Sequence, residues 1–221
     1  MNSMRTEVEK VPAKPLFRGV SHEVAAVAAL LGWAVLAVVA PNAGARAAAH
    51  TYGATLFALF AVSATYHRPT WSPRVRSWMR RLDHSAIFLL IAGTYTPLCL
   101  LLGGRLGTVL LAAVWIGAAL GIARSVLWVH APKTVAVLLY VALGWVVLPV
   151  LPAVRTAVGP GGLRLLAAGG IAYTVGAAVY AIRRPNPWPR VFGYHEVFHA
   201  LVIIAAICHF AVAFAAVRAI R

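Results

Sequence analysis

The sequence predicts an all-α membrane protein of seven transmembrane helices. Three observations carry that expectation. Of 221 residues, 62% are hydrophobic and only 11% are charged, with a mean hydropathy of +0.82, whereas soluble domains are about 25% charged. The apolar residues come in runs close to the roughly 20 needed to cross a hydrocarbon core of about 30 Å. These runs lack period-two alternation, so helices rather than barrel strands would satisfy the backbone in lipid. A soluble domain of this size could not bury so much apolar side chain. An ordinary cytosolic enzyme, a disordered tail and a basic nucleic-acid-binding domain are excluded, despite a formal net charge of +15.

The elements follow in order. Residues 1–15 read as a polar N-terminal segment of mixed charge and 16–221 as a single seven-helix domain. The first apolar run is too long for an h-region, so no cleavable signal peptide is expected. The runs lie near 22–40, 48–66, 84–102, 106–127, 134–152, 163–182 and 196–217. Turn and stop signals separate them, among them Pro41-Asn42-Ala43-Gly44, Gly103-Gly104-Arg105, Pro132-Lys133, Gly159-Pro160-Gly161-Gly162 and Arg183-Arg184-Pro185-Asn186-Pro187. The Gly103 connection makes 84–127 a tight hairpin. Arg68–Arg81 reads as a cationic loop obeying the positive-inside rule, or as a short amphipathic surface helix after Pro73 that attracts anionic lipid. The tryptophans cluster near span ends, as an interfacial belt would.

Seven spans put 14 of the 20 Lys and Arg residues on one side and 6 on the other. The positive-inside rule then makes the N-terminus cytoplasmic and the C-terminus external. The only acids are Glu7, Glu9, Glu23, Asp83 and Glu196. Acids near a bilayer are costly and tend to mark function. Cys99 and Cys208 both sit in apolar runs and make neither a disulfide framework nor a metal knuckle.

His195-Glu196-Val197-Phe198-His199 places two histidines at i and i+4, on one helical face and spaced to hold one metal ion. His67 closes the second run, Asp83 opens the third and His195 opens the seventh. A topology drawn from Lys and Arg alone brings all of them to the cytoplasmic face. Ser63 lies one turn deeper than His67. Three histidines with an open position have the form of a catalytic zinc site, although imidazole also suits other divalent metals. Asp83, taken as the start of a helix, would be kept ionised by the helix dipole and could move a proton between water and a leaving amine. Ser63 could hydrogen-bond the reacting oxygen. A site at headgroup depth faces the polar linkage of a lipid.

Ser63-Ala-Thr-Tyr-His67, Arg81-Leu-Asp83-His84, Ala92-Gly-Thr-Tyr-Thr-Pro97 and His195-Glu-Val-Phe-His199 together resemble the hemolysin III family. This is the bacterial branch of the progestin and adiponectin receptor group, related to the alkaline ceramidases. Arg18-Gly-Val-Ser-His22 also fits. The resemblance implies a seven-helix fold and a cytoplasmic Zn2+ site with ligands at His67, His195 and His199. It implies the Asp83 carboxylate near the reacting water and the Ser63 hydroxyl behind it. The expected function is a zinc-dependent hydrolase of lipid amide or ester bonds in the cell membrane, with a role in lipid homeostasis. Its expected partners are membrane lipids, including a lipid substrate, and not nucleic acid.

Rival readings are a receptor-like regulator with a structural zinc site, a hemolysin or pore-type protein, and an intramembrane zinc protease. The protease would use Glu196 as base and Asp83 as third ligand, leaving His67 idle. A bis-imidazole haem protein is weaker still. Other residues have plainer roles. Glu196 reads as structural, with an accessory role open, because the matching position in receptor members can be Gln. His84 reads as packing or interfacial. His22, Glu23, His50 and His130 read as span-end residues, with a His22–Glu23 contact allowed. His209 lies about 15 Å along the helix from His199, too far to share a metal, and is expected to bond within the bundle. Tyr95 and Pro97 are expected to shape a kink in the third span.

Overall fold

The computed structural model describes residues 14–128 and 132–221. Glu7, Glu9 and His130 lie outside the described residues. The chain forms α1 (Val20–Val39), α2 (Ala43–His67), α3 (Pro73–Leu102), α4 (Gly104–Leu127), α5 (Lys133–Gly144), α6 (Leu151–Ile182) and α7 (Tyr194–Ala219). A 3-10 turn, Leu148–Val150, joins α5 to α6. Among the described residues there is no strand, only an isolated bridge between Trp188 and Phe192.

Among the described residues, six helical stretches are long and apolar enough to cross a membrane. One of them, Thr134–Ile182, is 49 residues long and holds both the fifth and the sixth apolar runs. It is interrupted inside α6 at Gly159, whose φ of 71° and ψ of 173° are backbone angles essentially restricted to glycine. Pro160 follows directly. The α3–α4 connection is equally tight, with Gly103 and Gly104 both at positive φ (61° and 55°).

The third helix corrects the expected boundary. It begins at Pro73, eleven residues before the apolar run at 84, and continues unbroken to Leu102. Ser72 and Pro73 supply an N-terminal start signal, and arginine is a good helix former. Residues 68–72 are the connecting loop, and from Pro73 the cationic stretch is the first turns of α3 itself rather than a separate surface helix. Pro97 sits buried inside α3. The Tyr95 hydroxyl donates to the Gly144 carbonyl (2.7 Å) and accepts from the Val147 N–H (3.1 Å), holding the frayed end of α5 against α3.

Packing follows membrane rules. The faces that meet are rich in small residues, as lipid supplies no hydrophobic drive for helix association and close approach supplies dispersion instead. Ala45, Ala48, Ala49 and Tyr52 of α2 are fully buried in one core shared with α1 and α7. Phe88, Ala92, Val114 and Ala118 form a second core between α3 and α4. Large apolar side chains point outward, for example Val24, Val27, Leu31 and Val38 along one side of α1.

Contacts between segments define the two ends of the bundle. At one end, the Leu16 and Phe17 N–H groups donate to the Arg190 and Val191 carbonyls (3.1 and 3.2 Å). The Lys14 Nζ donates to the Pro69 carbonyl there (2.6 Å). At the other end, the Asn42 Oδ1 accepts from the Ala45 N–H and caps α2 (2.9 Å), while its Nδ2 donates to the Ile220 carbonyl (2.9 Å).

Candidate metal centre

Two helix ends deliver the three histidines. His67 is the last residue of α2, and His195 and His199 lie on the first two turns of α7. The start of α7 is fixed by its own sequence. The Gly193 N–H donates to the Glu196 Oε2 (2.8 Å) and the Tyr194 N–H to the Asn186 Oδ1 (3.0 Å). The other Glu196 oxygen accepts from the Arg18 Nε. Both oxygens of this buried carboxylate (2% exposed) are thus held by a helix cap and an arginine.

His67, His195 and His199 each offer a ring nitrogen, and these atoms lie within 4.8 Å of one another. The Nε2 atoms of His67 and His195 face each other at 3.2 Å. Two imidazoles sharing a tetrahedral zinc, with Zn–N of about 2.0–2.1 Å, place their nitrogens about 3.3 Å apart. The His199 Nδ1 is buried without a hydrogen-bond partner. Three imidazole nitrogens converging this closely fit a cation bound by the three. Three neutral nitrogen donors suit zinc.

The Asp83 Oδ2 lies 4.0 Å from the His67 Nε2. Asp83 is, however, the eleventh residue of α3. The helix dipole acts within the first turn, so it does not supply the ionisation expected of an N-terminal aspartate. Ser63, buried one turn before His67, hydrogen-bonds the His22 Nδ1 (2.9 Å) and lies close to the Asp83 carboxylate.

His22 is the residue that the sequence reading missed. It is buried at 3% exposure rather than interfacial, and its ring stacks on His199 with centroids 3.7 Å apart and planes 6° from parallel. Glu23 does not contact it but pairs with Arg68 (3.2 Å). The available signal was position, since His22 opens the first span at the end where the other histidines gather. His50 accepts from the Trp33 Nε1 (3.0 Å), away from the centre. The His209 Nε2 meets the Leu166 carbonyl (3.3 Å), the expected bond within the bundle.

A cavity of about 750 Å³ adjoins the histidines. Lys14, Arg18, Arg76 and Arg80 line it at the loop-rich end; Ile87, Leu90, Val141 and Val202 line its apolar walls, and Tyr173 and His209 its deep end. Partial desolvation, with the Arg76 and Arg18 guanidiniums nearby, holds the Lys14 ammonium below its ordinary pKa.

A family model described as haemolysin-III related matches residues 11–210. The chain belongs to the haemolysin III family. It is 31% identical over 207 residues to Hemolysin-3 of Bacillus cereus, which covers 92% of this chain and 91% of that protein. It is 31% identical over 153 residues to the Hemolysin-3 homolog of Bacillus subtilis, covering 69% and 68% of the two chains. It is 27% identical over 198 residues to the human monocyte to macrophage differentiation factor, covering 86% and 79%. As a haemolysin III member with several apolar helices, it is a multi-pass protein of the cell membrane. The histidine cluster, Asp83 and Ser63 all fall inside the haemolysin III match.

Proposed function

We propose that this haemolysin III protein is a zinc-dependent hydrolase of lipid amide or ester bonds, working at the cytoplasmic face of the membrane. The observation that carries this reading is the convergence of three histidine nitrogens beside a carboxylate, at one end of an apolar cavity. His67, His195 and His199 would hold the metal. Zinc so held supplies Lewis acidity and a nucleophile active near neutral pH. Asp83 accepts a proton from the attacking water and returns it to the departing amine or alkoxide. Ser63 orients the carboxylate for that transfer, and His22 fixes Ser63 from the opposite side. Glu196 is a cap and an ion-pair partner rather than the base.

The reading includes seven crossings, with Thr134–Ile182 passing twice by turning at Gly159. The segments before α1, between α2 and α3, and between α6 and α7 would then face the cytoplasm. Support comes from the glycine-only backbone at Gly159 and from the contacts that gather those three cationic segments at one end.

Metal analysis of purified protein tests the centre. About one zinc per chain is expected from a three-histidine site, lost in His199→Ala. Wild-type protein given a mixed lipid extract should release fatty acid, and Asp83→Asn should slow that release about 100-fold or more, the usual contribution of a positioned acid–base. Zinc without hydrolysis would favour a structural metal in a receptor-like regulator. Absence of zinc would overturn both.

A further inference from the structure

The cavity combines an apolar surface with a cationic one. Its walls are apolar, and it is elongated: His199 and His209 both line it and are ten residues apart on α7, about 15 Å along the axis. Its loop-rich end carries cations on the lining itself, not merely on the outer surface. Of the three acids among the described residues, Glu196 holds Arg18, Glu23 holds Arg68 and Asp83 lies against His67. Lys14 and Arg76 form no ion pair among the described residues. The Lys14 ammonium is braced by the Pro69 and His67 carbonyls (2.6 and 3.4 Å), so it is fixed beside the histidines. Like charges gathered at a low-dielectric opening attract an anion, and guanidinium matches phosphate geometry.

We propose that the cavity takes an anionic lipid, its phosphate group between Lys14 and Arg76 and its single chain lying along α7 toward His209. The inference rests on the proposed lipid chemistry for its meaning as substrate selection, but lipid binding itself is independent of turnover. The negative headgroup would anchor at the cationic end while the linkage to be cut sits at the histidines.

Binding to the purified full-length protein tests this directly, with probes that carry no carboxylic amide or ester to be cleaved. The probes are dodecyl phosphate, dodecylphosphocholine, dodecanol and inorganic phosphate. Wild type is expected to prefer dodecyl phosphate to dodecanol by about tenfold or more, the effect of one charge-assisted contact. Lys14→Gln with Arg76→Gln should abolish that preference, and Arg76→Lys should retain most of it. Raising salt should weaken dodecyl phosphate and leave dodecanol unchanged. Equal binding of the phosphate and alcohol probes, or a preference that survives the double substitution, overturns the proposal. Competition by inorganic phosphate at the same concentration as dodecyl phosphate also overturns it, by reducing the site to one for a free anion. The two readings fail separately. Selective binding with no hydrolysis by zinc-loaded protein sinks the enzyme alone. Hydrolysis with no headgroup preference sinks this inference alone.

Discussion

Glu196 and His22 divide the work that the HExxH spacing seemed to assign to one residue. Glu196 joins the Arg18 guanidinium to the N–H of Gly193, the N-cap of α7, and Arg18 is itself partly buried (22% exposed). Removing one member of such a pair leaves the other charge uncompensated, a cost of about 2 kcal/mol after allowing for the exposure of Arg18. Glu196→Gln is therefore expected to lower the unfolding midpoint while leaving zinc stoichiometry unchanged; loss of metal with unaltered stability would give the carboxylate a direct role. His22 acts through its neighbours. His22→Ala removes a buried ring stacked on His199 and should cost about 2–4 kcal/mol. His22→Phe keeps the stacking but not the Ser63 bond, so it should recover most of the stability without recovering hydrolysis. Equal activity of the phenylalanine variant and wild type would show that the Ser63 contact is idle. The positions of His67, His195 and His199 were legible because helix spacing and the Lys–Arg count suffice to bring them to one end. His22 was not, because its partners are 41 and 177 residues away and only packing joins them.

At the scale of elements, hydropathy located where each apolar run begins, which is not always where the helix begins. For α2 and α7 the two coincide within a few residues, since Asn42 and Gly193 stop the chain close to the apolar boundary. For α3 they differ by a stretch of arginines, whose long side chains cover helix surface as readily as they bind water. The misplaced start also removes the helix dipole as a reason to expect an ionised Asp83. Helix contacts were similarly hidden, because small residues are common everywhere in membrane segments. Gly121 of α4 shows their force: a Cβ there would overlap the Phe88 ring. Gly121→Leu should destabilise the protein by about 1–3 kcal/mol through overpacking, measured as a lower midpoint in detergent. Gly144, which has open space where a Cβ would stand, should tolerate alanine. If Gly121→Leu were as stable as wild type, the α3–α4 packing would be wrong.

For the whole molecule, composition was enough to recognise a membrane bundle, because the outward face must match lipid whatever the topology. The pairing of segments was not legible, and it is what builds the cavity. The seven crossings proposed would place the chain termini on opposite sides of the membrane. Tags at the N- and C-termini are expected to show opposite protease accessibility in sealed inside-out vesicles, with the N-terminal tag cleaved. Cleavage of both would require Thr134–Ile182 to cross an odd number of times, and the turn at Gly159 would not reverse the chain.

The length of α3 has a consequence for the membrane that hosts it. Thirty helical residues extend about 45 Å, against a hydrocarbon thickness of about 30 Å. The surplus is the arginine-rich beginning, so the apolar remainder from Leu82 to Leu102 nearly matches the bilayer by itself, and Asp83 lies at the seam. A thicker or thinner bilayer is met by helix tilt. α2 ends at His67 on the same seam, so tilt would slide the carboxylate past the histidine. On the proposed hydrolysis, bilayer thickness would thereby be an input to the reaction.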